Sequence, residues 1–223
     1  MHKSLHKICA SSHLLLYCPM PPAAISCTDA SQLARSLRTW RSLRRIKQHH
    51  AAELLGVSQT TVSRWENQQL TPAPDDQARI RCLLAARLDG AADRELARLV
   101  NGAREPVHLV CDLTHRLLAV SQPRIDDWRI SRGAVMGTPL WRYASEDIVL
   151  AEACLSTLGW FEPAPAPVAF FTRCNQSAQV QIREGWMRWV RFQLSDGSFA
   201  RLVQQGALEP DPVEPTGRFV ELR

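Results

Sequence analysis

QHHAAELLGVSQTTVSRWE, running from Gln48 to Glu66, decides how this chain is read. Ala51, Leu54 and Leu55 recur at helical spacing, so Gln48–Leu55 is expected as a short amphipathic helix with one buried face. Gly56 stands where that helix must end and the chain must turn, a position that favours a residue tolerant of positive φ. Val57 returns an apolar side chain to the core. Ser58 is placed to cap a second helix by accepting from the free N–H groups of its first turn. In that helix Val62 and Trp65, three apart, face inward. Gln59, Thr60, Ser63 and Arg64 then point outward, short polar groups beside one long cation. Such a set can read base edges in a DNA groove.

The spacing resembles that of the Cro/CI-type (XRE) family of phage and bacterial repressors, over about Leu33 to Leu84. As in the family, a Gln opens the first motif helix (Gln48), the phrase GVSQTTVSRWE follows (Gly56–Glu66), and a Pro comes a few residues later (Pro72). There are two departures. Leu43-Arg44-Arg45-Ile46 stands where most relatives carry a Gly between helices one and two, which bears on the angle of helix one. Asn67-Gln68-Gln69 stands where many end the recognition helix with Gly, and Asn tolerates the left-handed cap nearly as well.

The resemblance implies an N-terminal all-α, lambda-repressor-like helix-turn-helix domain, with double-stranded DNA as partner and a homodimer on a two-fold operator. It implies base contacts from Gln59, Thr60 and Arg64 and backbone or secondary contacts from Gln48 and Ser63. Ser58, Thr61 and Asn67 complete the DNA-binding set. Arg41, seven residues before Gln48, occupies a position from which relatives pair with the Glu that ends the recognition helix, here Glu66. A structural Arg41–Glu66 pair is therefore expected, against the alternative of one more solvated cation on a basic helix.

At 223 residues the chain is long for one domain and short for three, so two domains are expected. Its net charge is +5, but the placement of the cations matters more. Arg35, Arg38, Arg41, Arg44, Arg45 and Lys47 crowd one stretch with no acidic residue among them. Beside a helix-turn-helix pattern that run reads as a footprint for phosphates. The seven Cys show no C-x-x-C pair and no metal-ligand spacing with His. They read as reduced thiols, with Cys111, Cys154 and Cys174 in apolar surroundings. No apolar run approaches the length of a membrane span. The opening segment, with Lys3 and Lys7 before Leu14-Leu15-Leu16-Tyr17-Cys18, only faintly imitates a secretory signal. Residues 1–27 are expected as a disordered extension, with Met20 as a candidate start, and the protein as cytoplasmic.

Outward from the motif, Ser31–Ile46 is expected as helix one. Leu70–Pro74 is a turn, Asp75–Leu88 a helix with Ile80, Leu83 and Leu84 on one face, and 89–105 a helical linker containing a helix over Asp93–Leu99. The first domain thus spans 28–88. From Pro106 the pattern changes to strands. Val107–Asp112 and Arg116–Ser121 form a hairpin about Leu113-Thr114-His115. Glu146–Leu158 is a helix with Ile148, Leu150, Ala151, Leu155 and Leu158 mainly inward. Strands follow at Val168–Cys174, Ala178–Glu184 with Trp186–Leu194, and Ser198–Gln204, the last two joined at Asp196-Gly197. Residues 208–223 are expected as a flexible tail.

Two strands, short helices, then three antiparallel strands is an element order similar to that of PAS domains, over 106–207. The phrase Leu140-Trp141-Arg142 adds to the resemblance. The fold class is therefore multi-domain, α plus α+β: the all-α unit followed by a PAS-like antiparallel sheet with flanking helices. The resemblance implies a sensor or dimerisation domain with a candidate small-molecule pocket, for which Trp128, Trp141, Phe170 and Trp189 are the candidates. Most of the aromatic residues are expected simply to build the core. His108 and His115 are expected exposed or satisfied rather than as haem ligands, and Cys174 does not sit in a flavin motif. No cofactor and no metal are therefore expected. No Lys follows Lys47, so a Ser–Lys self-cleaving dyad cannot form in the C-terminal domain. Asp112, Asp126, Asp127, Glu146 and Asp147 form no acid–base pair, and no catalytic residue is assigned. The alternative to a DNA-binding regulator is an antitoxin-like or scaffold protein whose C-terminal domain binds a protein partner.

Overall fold

The computed structural model describes residues 29–206 and two further short strands, Leu16–Tyr17 and Arg218–Glu221. Helix α1 spans Asp29–Leu43 and buries Leu33, Ala34, Leu37 and Trp40. It stops short of the expected Ile46. Arg45 turns to φ 54°, the left-handed conformation that Gly adopts most readily. Ile46 N–H then closes on Arg41 O at 2.9 Å, and Arg41 Nη1 donates to Ile46 O at 3.1 Å. Helix α2 is Gln48–Leu55, and it buries Ala51, Ala52 and Leu55. Leu54, expected on that face, is exposed, because so short a helix has one inward stripe and Ala52 occupies the neighbouring position. Gly56 sits at φ 67°, its N–H and that of Val57 returning to the carbonyls of Glu53 and Ala52. Ser58 caps α3, Gln59–Glu66, by accepting from Thr61 N–H at 3.1 Å. After α3 it is Gln68, at φ 58°, that takes the left-handed cap, while Asn67 does not.

Helix α4 covers Pro74–Leu84, with Pro74 in its first turn and Asp75 and Asp76 beside its positive end. It ends four residues before the expected Leu88, because Ala86 leaves for the sheet. Ala86 N–H donates to Cys111 Sγ at 3.3 Å, and its carbonyl accepts from Arg116 Nη2 at 2.9 Å. Helix α5, Ala91–Asn101, is longer than the helix expected within the linker and does not stand free. Ala97 and Val100 pack into one cluster with Leu109, Cys111, Ala119 and Ala200, closing one face of the sheet.

The sheet orders its strands β1-β7-β4-β5-β6-β2-β3. Here β1 is Leu16–Tyr17, β2 Val107–Cys111, β3 Leu117–Val120, β4 Val168–Thr172, β5 Gly185–Gln193, β6 Phe199–Gly206 and β7 Arg218–Glu221. The central run β3-β2-β6-β5-β4 is antiparallel throughout. β7 pairs in parallel with β4, and β1 with β7. These two short strands fall within the expected unstructured extension and tail, where they pair the edge that β4 would otherwise leave open. The rest of the expected 1–27 extension and 208–223 tail, and the Met20 start, lie outside the described residues.

Ala178–Glu184 is not a strand. Its would-be ladder groups are taken by Asn175, whose Nδ2 donates to Val180 O at 2.9 Å and whose Oδ1 accepts from Ile182 N–H at 2.9 Å. Helices α6 (Gln122–Asp127), α7 (Arg132–Val135), a single 3-10 turn at Trp141–Tyr143, and α8 (Glu146–Cys154) cover the face opposite α5. The α8 helix ends earlier than expected, and it turns inward Asp147, Val149, Ala151 and Cys154, with Leu150 only half-buried. After it Gly159, at φ 70°, turns the chain so that Trp160 is fully buried.

Side chains alternate across a strand, so His108, Val110 and Asp112 point to the helix-covered face together with Trp189, Arg191, Arg201, Val203 and Gln205. Three of these are charged and buried. Asp112 accepts from Arg191 Nε at 2.9 Å, Arg201 Nε at 2.9 Å and Trp160 Nε1 at 3.1 Å. Arg201 Nη1 continues to Glu152 Oε2 at 2.6 Å. The two guanidiniums lie over aromatic faces, Arg191 at 3.6 Å from the Phe199 ring and Arg201 at 4.4 Å from Trp189. Removing the one carboxylate shared by two arginines whose side chains are 2% exposed would leave them uncompensated. Asp112→Asn should therefore cost about 3–5 kcal/mol in urea unfolding followed by Trp fluorescence. The exposed Asp126→Asn should stay within about 0.5 kcal/mol.

Candidate functional site

Two surfaces carry chemistry. The first is α3. Gln59, Thr60, Arg64 and Asn67 are exposed, Ser63 and Thr61 half-buried, and Val62, Trp65 and Glu66 buried. Ser58 and Thr61 are joined at the cap, Oγ to Oγ1 at 2.8 Å, which turns Thr61 toward the turn. Beneath this face Glu66, buried, accepts from Arg41 through both oxygens at 2.8 and 2.9 Å. Gln48 Nε2 joins the same carboxylate at 2.9 Å, and Gln48 Oε1 accepts from Gln59 Nε2 at 3.2 Å. A chain of four side chains thus runs from α1 through the carboxylate to the exposed N-terminus of α3. The hydrogen bond to Glu66 outweighs burial and raises Arg41 above its ordinary value. Arg38, Arg44, Arg45 and Lys47 are exposed around the α1–α2 junction.

The second is a cavity of about 80 Å³ between the sheet and α6, the 3-10 turn and α8. Trp128, Trp141 and Trp189 line it. Phe170, expected beside them, is fully buried edge-on against Trp189 at 4.7 Å and belongs to the core instead. His108, His115, Arg124, Arg201 and Gln205 also line the cavity. The two histidines are neither exposed nor satisfied: both are buried, and Nδ1 of each has no hydrogen-bond partner. His108 packs against Trp128 at 5.2 Å and His115 against Trp141 at 4.9 Å. His115 also holds φ 53°, a costly conformation fixed by its N–H on Cys111 O and its carbonyl on Leu140 N–H.

Burial, aided by the Arg124 charge, pushes His108 well below its ordinary value and keeps it neutral. Burial also lowers Arg124 to about 10. Behind the wall, burial alone would raise Glu152, but Arg201 and His115 outweigh it and hold the carboxyl at about 2. Glu152 Oε1 also receives a long hydrogen bond, 3.5 Å, from Gln32 Nε2 of α1. Two residues of the cavity wall, Arg201 and His115, and the first helical unit therefore share one carboxylate that lies behind the wall. Sequence reasoning missed this wall. The available signal was arginine inside apolar strand runs, RWVRF at 188–192 and FARLV at 199–203, where only a buried partner makes a charge tolerable.

Among the described residues no three His, Cys, Asp or Glu side chains are grouped to hold a metal. Cys82 and Cys174 are exposed thiols and Cys111 a buried one. Cys174 thus departs from its expected apolar setting. Cys154, buried, is disulfide-bonded, against the expectation of thiols throughout. Among the described residues no helix is long and apolar enough to cross a membrane.

No protein-family model and no curated protein matches the chain. Among solved structures, the PAS domain of BvgS from Bordetella pertussis aligns at a TM-score of 0.33 and 12% identity. That alignment covers 50% of this chain and 80% of that one. The PAS domain of an HTR-like protein from Haloarcula marismortui aligns at 0.38 and 14%, over 52% of this chain and 92% of that one. At such scores neither neighbour bears weight. It is the sheet itself, five antiparallel strands with two before and three after the flanking helices, that fits a PAS-like domain.

Arg41→Met strands a buried carboxylate with Gln48 alone. It should destabilise the helical unit by about 3 kcal/mol and speed amide exchange along α3. Because folding depresses Glu152, its contribution is complete above its ordinary value of 4.5 and is lost as pH falls toward about 2. Urea midpoints should drop across that window, and Glu152→Gln, weaker at neutral pH, should drop less.

Proposed function

We propose that the chain is a sequence-specific DNA-binding transcriptional regulator whose PAS-like domain modulates binding in response to a small molecule or partner. The observation that carries the reading is the exposed row Gln59, Thr60 and Arg64 on a short capped helix, held from behind by Arg41, Glu66 and Gln48. Gln can bond adenine through two atoms and Arg can do so with guanine, while the Thr methyl can meet thymine. Asn67, Ser58, Thr61 and Ser63 flank that row. The exposed cations Arg38, Arg44, Arg45 and Lys47, with no acidic residue between Ala30 and Ala52, fit a phosphate-facing surface.

In this reading the protein is a homodimer, its two α3 helices spaced about one DNA turn, roughly 34 Å, on a two-fold operator. The sensor speaks to the reader through Glu152. An occupant that changes how Arg201 and His115 hold this carboxylate changes the seat of α1, to the extent that it binds the two seatings with different affinity. The place of action is the cytoplasm.

Mapping the DNA bound by the native protein genome-wide tests this, with Gln59 and Arg64 both changed to Ala as comparison. Sharp sites sharing a two-fold motif, lost in the variant, are expected. Arg64→Ala alone should cost about 1–3 kcal/mol and relax preference at one base position. Diffuse binding by both proteins, with one stoichiometric protein co-purifying, would overturn the proposal in favour of a partner-binding module.

A further inference from the structure

The cavity wall carries more hydrogen-bond donors than the protein itself answers. Trp141 Nε1 and Arg124 Nε are buried without a partner, and both can only donate. Nδ1 of His108 and of His115, also unpartnered, can take either part. Buried polar groups in folded proteins are with few exceptions paired, so several unpaired ones about a single cavity call for an occupant rich in acceptors.

The charges agree. Arg201 is answered by Asp112 and Glu152. Arg124 spends its other N–H groups on neutral oxygens, Gln205 Oε1 at 3.0 Å and Pro106 O at 2.6 Å. Asp127, the carboxylate beside it, stands off at 3.8 Å and is held by Arg183 at 2.8 Å. Arg124 is thus a buried cation on the cavity wall whose one nearby carboxylate is shared with Arg183 and makes no hydrogen bond to it.

Size limits the occupant further. At about 80 Å³ the cavity is roughly half the ~150 Å³ that accommodates benzene, so its occupant is smaller than benzene. Haem, flavin and long acyl chains do not fit. Between the polar atoms the wall is apolar: Val110, Trp128, Met187 and Val203.

Resting on the reading of this cavity as the sensor's ligand site, we infer that its ligand is a short-chain carboxylate. The carboxylate end meets Arg124, and the alkyl end lies against the apolar wall. An anion of this kind pairs a buried donor and adds to the counter-charge that Arg124 otherwise shares with Arg183. A cation would face Arg124, and a hydrocarbon would leave every donor unpaired.

The test titrates propionate and propionamide, equal in size and differing in charge, into the full-length protein with ¹⁵N-labelled tryptophan. The Trp141 indole N–H signal is identified by its absence from Trp141→Phe. Propionate should shift that signal saturably and bind at least tenfold more tightly than propionamide, and Arg124→Gln should abolish the difference. Because the analogue pair needs no variant, a failure of Arg124→Gln to fold leaves the result intact. If propionamide binds as tightly as propionate, the cavity takes a ligand but not an acid, and the inference falls alone. If neither moves the Trp141 signal, the cavity reading falls with it.

Discussion

Asp112 is the constraint on which the C-terminal half depends. A carboxylate with no exposed side-chain surface brings together the end of β2, the last part of β5, the first part of β6 and the chain beyond α8 through Arg191, Arg201 and Trp160. Ion pairs this deep return little net stability, because both partners surrender hydration to form them. What the cluster supplies is registry. A one-residue slip of β2 against β6 would turn Asp112 to the α5 side and bury three charges apart. The same slip would move His108 off the cavity wall, so the pocket and the fold stand on one carboxylate.

Much of the path to this arrangement could be read from local chemistry. Gly56 and Ser58 dictated the turn between α2 and α3, Asp196-Gly197 the hairpin of β5 and β6, and Asp75-Asp76 the first turn of α4, which opens one residue earlier, at Pro74. Each signal is confined to a few neighbouring residues, where backbone preference decides. What escaped were choices settled at long range. α4 ends at Leu84 because Ala86 finds Cys111 and Arg116, far along the chain. Val180 and Ile182 have strand-like composition, yet Asn175 satisfies their backbone before any neighbouring strand can. Leu54 matched the helical period and lost its place to Ala52.

The site was legible to the same degree. The α3 face follows from helical period and capping, so which of its side chains are exposed could be named in advance. The cavity was foreseen only through its tryptophans. Its polar wall comes from β2, α6 and β6, and no spacing within one element predicts that His108, Arg124 and Arg201 meet. Phe170 illustrates the converse: an aromatic residue on the right strand whose neighbour Trp189 screens it from the space it was expected to line.

The link from Gln48 to Gln59 has a consequence for the thermodynamics of any contact that α3 makes. A glutamine at an exposed helix start ordinarily samples many rotamers, and fixing one on contact costs about 0.5–1.5 kcal/mol. Here Gln48 already holds one amide proton of Gln59, leaving the other proton and the carbonyl oxygen aimed outward. Part of the ordering entropy is therefore surrendered during folding rather than at the encounter. Loosening Gln48 would leave every outward atom in place and still raise the entropic cost of any contact the surface makes.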